Sequence, residues 1–212
     1  MSEEKDKLEE INKLYDETVN TSYFSSLLIP RSHKIQSYEN VISKYIEYLS
    51  QNQIEKSVKI EIYNKIITLY TYLNNQDNII KYKLERYSIL TNEELFEELG
   101  NIKEIEILKF LNSSHITIEM KIKLYEYLIR NLNLKDKYLS KFVDYIILLK
   151  EKKTEIDFNK FIPYIEDLFK LNLKTITSRK YAELLIQIDK SKLDYCCKLD
   201  PLPSNIDYYK SL

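Results

Sequence analysis

Glycine occurs once in 212 residues, tryptophan not at all, alanine only at Ala182, cysteine twice and proline four times. Each scarcity removes a class of function. Phosphate cradles need several glycines, because the backbone must approach the ligand closely and adopt positive φ. Gly100 alone therefore excludes most nucleotide-binding enzymes. The cysteines are the neighbours Cys196 and Cys197. A disulfide between adjacent residues closes a strained ring, so no bridge is expected, and thiols suit a reducing compartment. His33 and His115 are the only histidines, and with two adjacent cysteines they offer no ligand spacing for zinc. No metal and no cofactor is expected.

Long apolar runs are missing too. No stretch approaches the ~18 residues of a membrane span, so a membrane partner is not expected. The opening MSEEKDKLEE is acidic, without the apolar core of a secretory signal or the arginines of a transit peptide. The expected location is cytoplasmic, with the nucleus as the alternative. Neither sign of charge dominates: 32 basic against 33 acidic residues leave a net of −1. The global electrostatic footprint of a nucleic-acid binder is thus lacking.

What the chain does have is isoleucine, lysine, asparagine and 19 tyrosines, the codon preference of an AT-rich genome. Tyrosine abundance by itself carries no functional argument. Branched apolar and aromatic side chains are plentiful and net charge is small, so a folded chain rather than a disordered one is expected.

The apolar period is helical nearly throughout. Leu8, Ile11, Leu14, Tyr15 and Val19 form one face of an acidic first helix within residues 1–30. After Pro30, Ser32 or Ser37 is expected to cap a helix carrying Val41, Ile42, Tyr45, Ile46 and Leu49. A third helix spans about 54–73, and Asp77 is placed to cap a fourth holding Ile80, Leu84 and Tyr87. Thr91 and Glu94 read as a capping box, and Gly100 as the left-handed stop of that short helix. Further helices are expected near 102–111, 117–130, 135–150, 157–171 and 175–188, with a short one after Ser191. Residues 199–212, opened by Pro201 and Pro203, read as an exposed tail. Nothing alternates in a hairpin pattern, so strands are not expected. About ten helices with short polar loops imply antiparallel neighbours in one all-α domain over 1–212.

The candidate caps Ser37, Asp77, Thr117 and Asp157 stand 40 residues apart, the length of a two-helix solenoid unit. Within one such unit, Tyr63-x-x-Ile66-Ile67-x-x-Tyr70, a polar turn and Ile80-x-x-x-Leu84-x-x-Tyr87 resemble a tetratricopeptide (TPR) repeat. Ile67 stands where that family prefers glycine, Ile80 and Tyr87 where it prefers alanine, and the turn is one residue longer. The resemblance covers Tyr63 to Leu90 and implies antiparallel hairpins stacked as an irregular TPR-like α-solenoid, used for protein interaction.

No enzyme signature emerges. His115 follows Ser113 and Ser114 in what reads as a loop, and Glu93, Glu94, Glu97 and Glu98 read as a solvated helix face. Charge is uneven along the chain, however. Residues 1–106 hold 13 basic and 19 acidic side chains; residues 107–181 hold 15 and 9. Lys121, Lys123, Arg130, Lys135, Lys137 and Lys141, interleaved with Tyr125, Tyr127 and Tyr138, are the candidate partner-binding residues. The expected function is a non-catalytic helical-repeat scaffold, one subunit of a multi-subunit complex, with protein partners. An RNA- or ribosome-associated protein using the basic 107–153 region is the alternative, and a small helical enzyme without a recognisable motif is the second.

Overall fold

The computed structural model describes residues 2–24, 30–50, 53–131, 135–173 and 175–212. Among these the chain is all-α: twelve α-helices and one 3₁₀ turn, with no strand. Contacts gather it into two compact units, Met1–Lys121 and Ile122–Leu212. Composition and loop lengths predict one domain over 1–212; the contacts divide the chain instead. The division follows the charge: the first unit holds 15 basic and 20 acidic side chains, the second 17 and 13.

The first unit contains α1 (Ser2–Phe24), α2 (Arg31–Leu49), α3 (Lys56–Tyr72), α4 (Gln76–Ser88), α5 (Asn92–Gly100) and α6 (Glu104–Leu111). Successive helices pack in order from α1 to α4, and α6 returns against α4. The core takes Ile11 from α1, Val41, Ile42 and Tyr45 from α2, Ile62, Ile66 and Leu69 from α3, and Tyr82 from α4. Tyrosine is a core residue here, which gives the sequence's bias a structural use. Tyr70 stacks on Tyr82 with centroids 5.5 Å apart, and Tyr38 stacks on Tyr72 at 5.6 Å. A buried phenol needs a partner, and the Tyr45 hydroxyl donates to Asn12 Oδ1 at 2.8 Å. The Tyr70–Tyr82 pair, together with the hydrogen bond from Arg86 to Asn64, makes α3 and α4 antiparallel.

The second unit contains most of α7 (Ile118–Asn131), then α8 (Lys135–Glu151), the 3₁₀ turn Phe158–Phe161, α9 (Ile162–Leu171), α10 (Ile176–Ile188), α11 (Lys192–Leu199) and α12 (Pro203–Lys210). Phe142 on α8 is its aromatic centre. Tyr125 stacks on it at 5.4 Å, while Phe161 and Tyr164 meet it edge-on at 5.7 and 5.2 Å. Helix α10 packs against α9, α11 and α12.

Local signals were borne out where a side chain satisfies its own helix end. The Thr91–Glu94 capping box is formed, with the Thr91 N–H donating to Glu94 Oε2 at 2.7 Å and the Glu94 N–H donating to Thr91 Oγ1 at 3.3 Å. Other expectations are corrected. Pro30, not Ser32 or Ser37, is the N-cap of α2, and Ser37 lies inside that helix with its hydroxyl donating to the His33 carbonyl. Asn75 caps α4 by accepting from the Asn78 N–H, which leaves Asp77 in the first turn. Gly100 lies within α5, and no glycine has positive φ. The left-handed stops fall instead on Asn74 (φ 55°) and Lys153 (φ 53°). Each closes a Schellman turn: Asn75 N–H to the Tyr70 carbonyl after α3, and Thr154 N–H to the Leu149 carbonyl after α8. The helix expected over 157–171 is split, because Asp157 caps a 3₁₀ turn and Pro163 then opens α9. Residues 199–212 are not an exposed tail, since α12 forms there with Asn205 and Tyr209 buried.

Candidate partner-binding groove

The six predicted cations are divided between the two units. Lys121 belongs to the first unit and the other five to the second. Lys123 and Arg130 lie seven residues apart on α7, hence on one helix face. Arg130 is engaged within the fold: its guanidinium donates to the Tyr164 hydroxyl at 3.5 Å, and that hydroxyl donates to Glu126 Oε1 at 3.3 Å. Lys137 and Lys141 are brought together one turn apart on α8, with their ammonium groups 5.0 and 6.0 Å from the Tyr138 ring centre. Lys135 opens α8, and its side chain lies outside the described residues. The interleaved tyrosines turn inward: Tyr138 and Tyr127 are buried and Tyr125 stacks on Phe142. These rings fill a core rather than offering a surface on which bases could stack.

A concavity of the second unit lies elsewhere, between the C-terminal end of α8 and α10. It is an open groove of ≈ 530 Å³ whose lining combines Ile147 and Leu184 with Lys150, Lys153, Lys180, Gln187 and the acids Glu151 and Glu183. A second groove of ≈ 460 Å³ shares Lys150 and Gln187 with the first and runs on to α12, where Ile186, Leu193 and Leu212 supply apolar surface beside Lys190 and Lys210. The two neighbouring grooves thus combine apolar side chains with five lysines, Lys150, Lys153, Lys180, Lys190 and Lys210, and with two acids, Glu151 and Glu183. They use only the far end of the basic 107–153 stretch.

Two acids, Glu151 and Glu183, line the first groove, and the charge of Glu151 acts on Lys180. Glu183 accepts from the Tyr208 hydroxyl at 2.8 Å and from Gln187 Nε2 at 3.0 Å. The first of these bonds holds the Tyr208 phenol above its ordinary value. Lys180 donates to Asp144 at 2.8 Å, and that hydrogen bond raises its pKa. Lys150 sits over the Phe158 ring at 5.6 Å. Lys153, Lys190 and Lys210 are exposed and have no ion pair among the described residues.

Behind the groove lies a buried polar cluster that the sequence did not disclose. Asp200, fully buried, accepts at Oδ2 from Ser178 Oγ at 2.9 Å, Asn205 Nδ2 at 2.8 Å and the Tyr209 hydroxyl at 2.9 Å. Arg179 extends the network by donating to Asn205 Oδ1 at 2.7 Å. Burial pushes the Tyr209 phenol up to about 12. The cluster ties α12 to α10 and so sets Tyr209, Lys210 and Leu212 along the second groove. Its one sequence signal was Asn205 and Tyr209 at helical spacing after Pro203, which points to a helix face but not to its partner.

The other chemical candidates resolve into packing and surface pairs. His115 Nε2 lies 2.9 Å from Asp77 Oδ2. The Ser113 hydroxyl accepts from the His115 backbone N–H at 3.1 Å. His33 is exposed on α2. Burial pushes the Cys196 thiol up to about 12, the reverse of what a reactive thiolate needs. Among the described residues no cluster of histidine, cysteine and carboxylate side chains could hold a metal ion, and no helix is long and apolar enough to cross a membrane. No protein-family model, curated protein or solved structure matches this chain.

Proposed function

We propose that this protein is a non-catalytic helical interaction module, a TPR-like stack of hairpins serving as a subunit of a larger assembly, and that it holds a protein partner along the groove of its second unit. The observation that carries the reading is the groove itself: a concavity between α8 and α10, continued at α12 by a second one, whose linings combine apolar side chains with lysines in excess over acids. Apolar area removed from water supplies affinity, at about 25 cal/mol per Å², while the charges select the partner and speed its approach. The lysines of α7 and the start of α8, Lys121, Lys123, Arg130, Lys137 and Lys141, act in this reading only as steering charge.

A photo-crosslinking side chain at Gln187, which both grooves share, tests the proposal in the source cells, with Glu93 on α5 as control. The expected result is one discrete protein adduct from position 187, absent from position 93 and lost when Lys190 and Lys210 are changed to glutamate. Adducts only to nucleic acid would transfer the assignment to the RNA-associated alternative. A protein adduct indifferent to both position and charge would overturn the reading.

A further inference from the structure

We infer that the occupant of the second unit's groove is an acidic amphipathic helix of a partner protein, an inference that rests on the interaction-module reading above. Three features of the groove determine the chemistry. Its lining includes the apolar side chains Ile147, Leu184, Leu193 and Leu212, which an occupant covers with an apolar stripe of its own. No strand exists among the described residues, so an extended peptide finds no sheet edge on which to pair its backbone groups. A helix satisfies those groups internally and presents apolar residues at three- and four-residue steps.

Charge selects the polar face. Of the two acids that line the first groove, Glu183 is occupied by Tyr208 and Gln187, and Glu151 stands against Lys180, which also pairs with Asp144. Among the described residues the second groove is lined by no acidic side chain, so cations are in excess, with Lys153, Lys190 and Lys210 exposed. Carboxylates on the flank of a docking helix meet these ammonium groups without displacing an internal pair. Phosphate is a poorer fit. Every cation lining the groove is a lysine, and lysine acts as a point charge where arginine would clasp a phosphate with two bonds. A nucleic-acid backbone would also leave the apolar side chains uncovered.

The test uses a synthetic helical peptide of about five turns, with a leucine stripe on one face and glutamate on the others. Two controls accompany it: the same peptide with lysine for glutamate, and a glutamate-rich permutation without the stripe. Binding to the full chain is measured by fluorescence anisotropy at physiological salt. The acidic striped peptide should bind, and its affinity should fall about tenfold in the K190E/K210E variant and similarly in L212D. Lys153 is left in place because it holds the left-handed turn after α8. Matching far-ultraviolet circular dichroism confirms that each variant keeps its fold. Equal binding of the permuted peptide, or stronger binding of the lysine peptide or of single-stranded RNA, overturns the inference. So does failure of the acidic peptide to bind. If Gln187 still cross-links a protein when the acidic peptide fails, the module stands and only the assigned occupant falls.

Discussion

Asp200 shows how a single buried side chain can decide where a segment goes. With Asp200 replaced by alanine, the Asn205 amide and the Tyr209 hydroxyl lose their acceptor inside the protein, whereas Ser178 keeps the Thr175 carbonyl as an alternative. Each unsatisfied buried donor costs about 1–3 kcal/mol. Tyr209→Phe instead removes a donor and leaves Asp200 two others. Urea unfolding should therefore find D200A more destabilised than Y209F; equal losses would mean the network does not hold α12. Glu85 is a second residue with a legible cost. Burial holds its carboxyl above the ordinary range, only partly opposed by Lys81 and His115. Because the folded form binds that proton more tightly than the unfolded chain does, its contribution is present at low pH and is lost as pH rises through the folded value. The melting temperature of Glu85→Gln relative to the parent should thus increase from about pH 4 to pH 7. A flat difference would place Glu85 in an ordinary solvated setting.

At the scale of the element, α3 and α4 form the hairpin whose spacing was legible in advance. Ile66, Leu84 and Tyr87 are buried, as that spacing required, while Tyr70 is half-buried and stacks on Tyr82. Truncating Leu84 to alanine removes a buried side chain of α4 and should cost about 2–5 kcal/mol by chemical denaturation. A change within experimental error would show that the packing relaxes around the loss. The ends of these helices were less legible than their faces. An apolar stripe averages over many residues, so it survives a misplaced boundary. A cap depends on one residue's backbone, and Asp77 and Asn75 are equally good cap chemistries two positions apart. The left-handed stops were missed for a related reason: Asn74 and Lys153 take a conformation usually assigned to glycine, and the Schellman bonds around them offset its cost.

On the scale of the whole molecule, the uneven charge of the chain coincides with its division into units. The consequence for binding is kinetic. Lys137 and Lys141 stand about two to three turns from the groove's end of α8, roughly 10–15 Å along the helix. That distance exceeds a Debye length of about 8 Å in physiological salt. Reversing both to glutamate should slow association of an acidic partner at low salt and leave dissociation nearly unchanged, as stopped-flow measurements would show. A faster dissociation would put these lysines inside the bound interface.

The helical class, the apolar faces and the Thr91–Glu94 cap follow from residues within a turn or two of one another, where periodicity and backbone hydrogen bonding suffice. The unequal charge of the two halves is likewise a property of composition along the chain. The groove, the docking of α12 and the Asp200 cluster join Ser178 to residues 22 and more positions away. Such contacts gain their energy from desolvation and from satisfying buried polar groups, and neither operates until distant segments have packed. For that reason Pro201 and Pro203 read locally as the start of a tail, while the folded chain turns them into the entry of a helix docked through Asn205 and Tyr209.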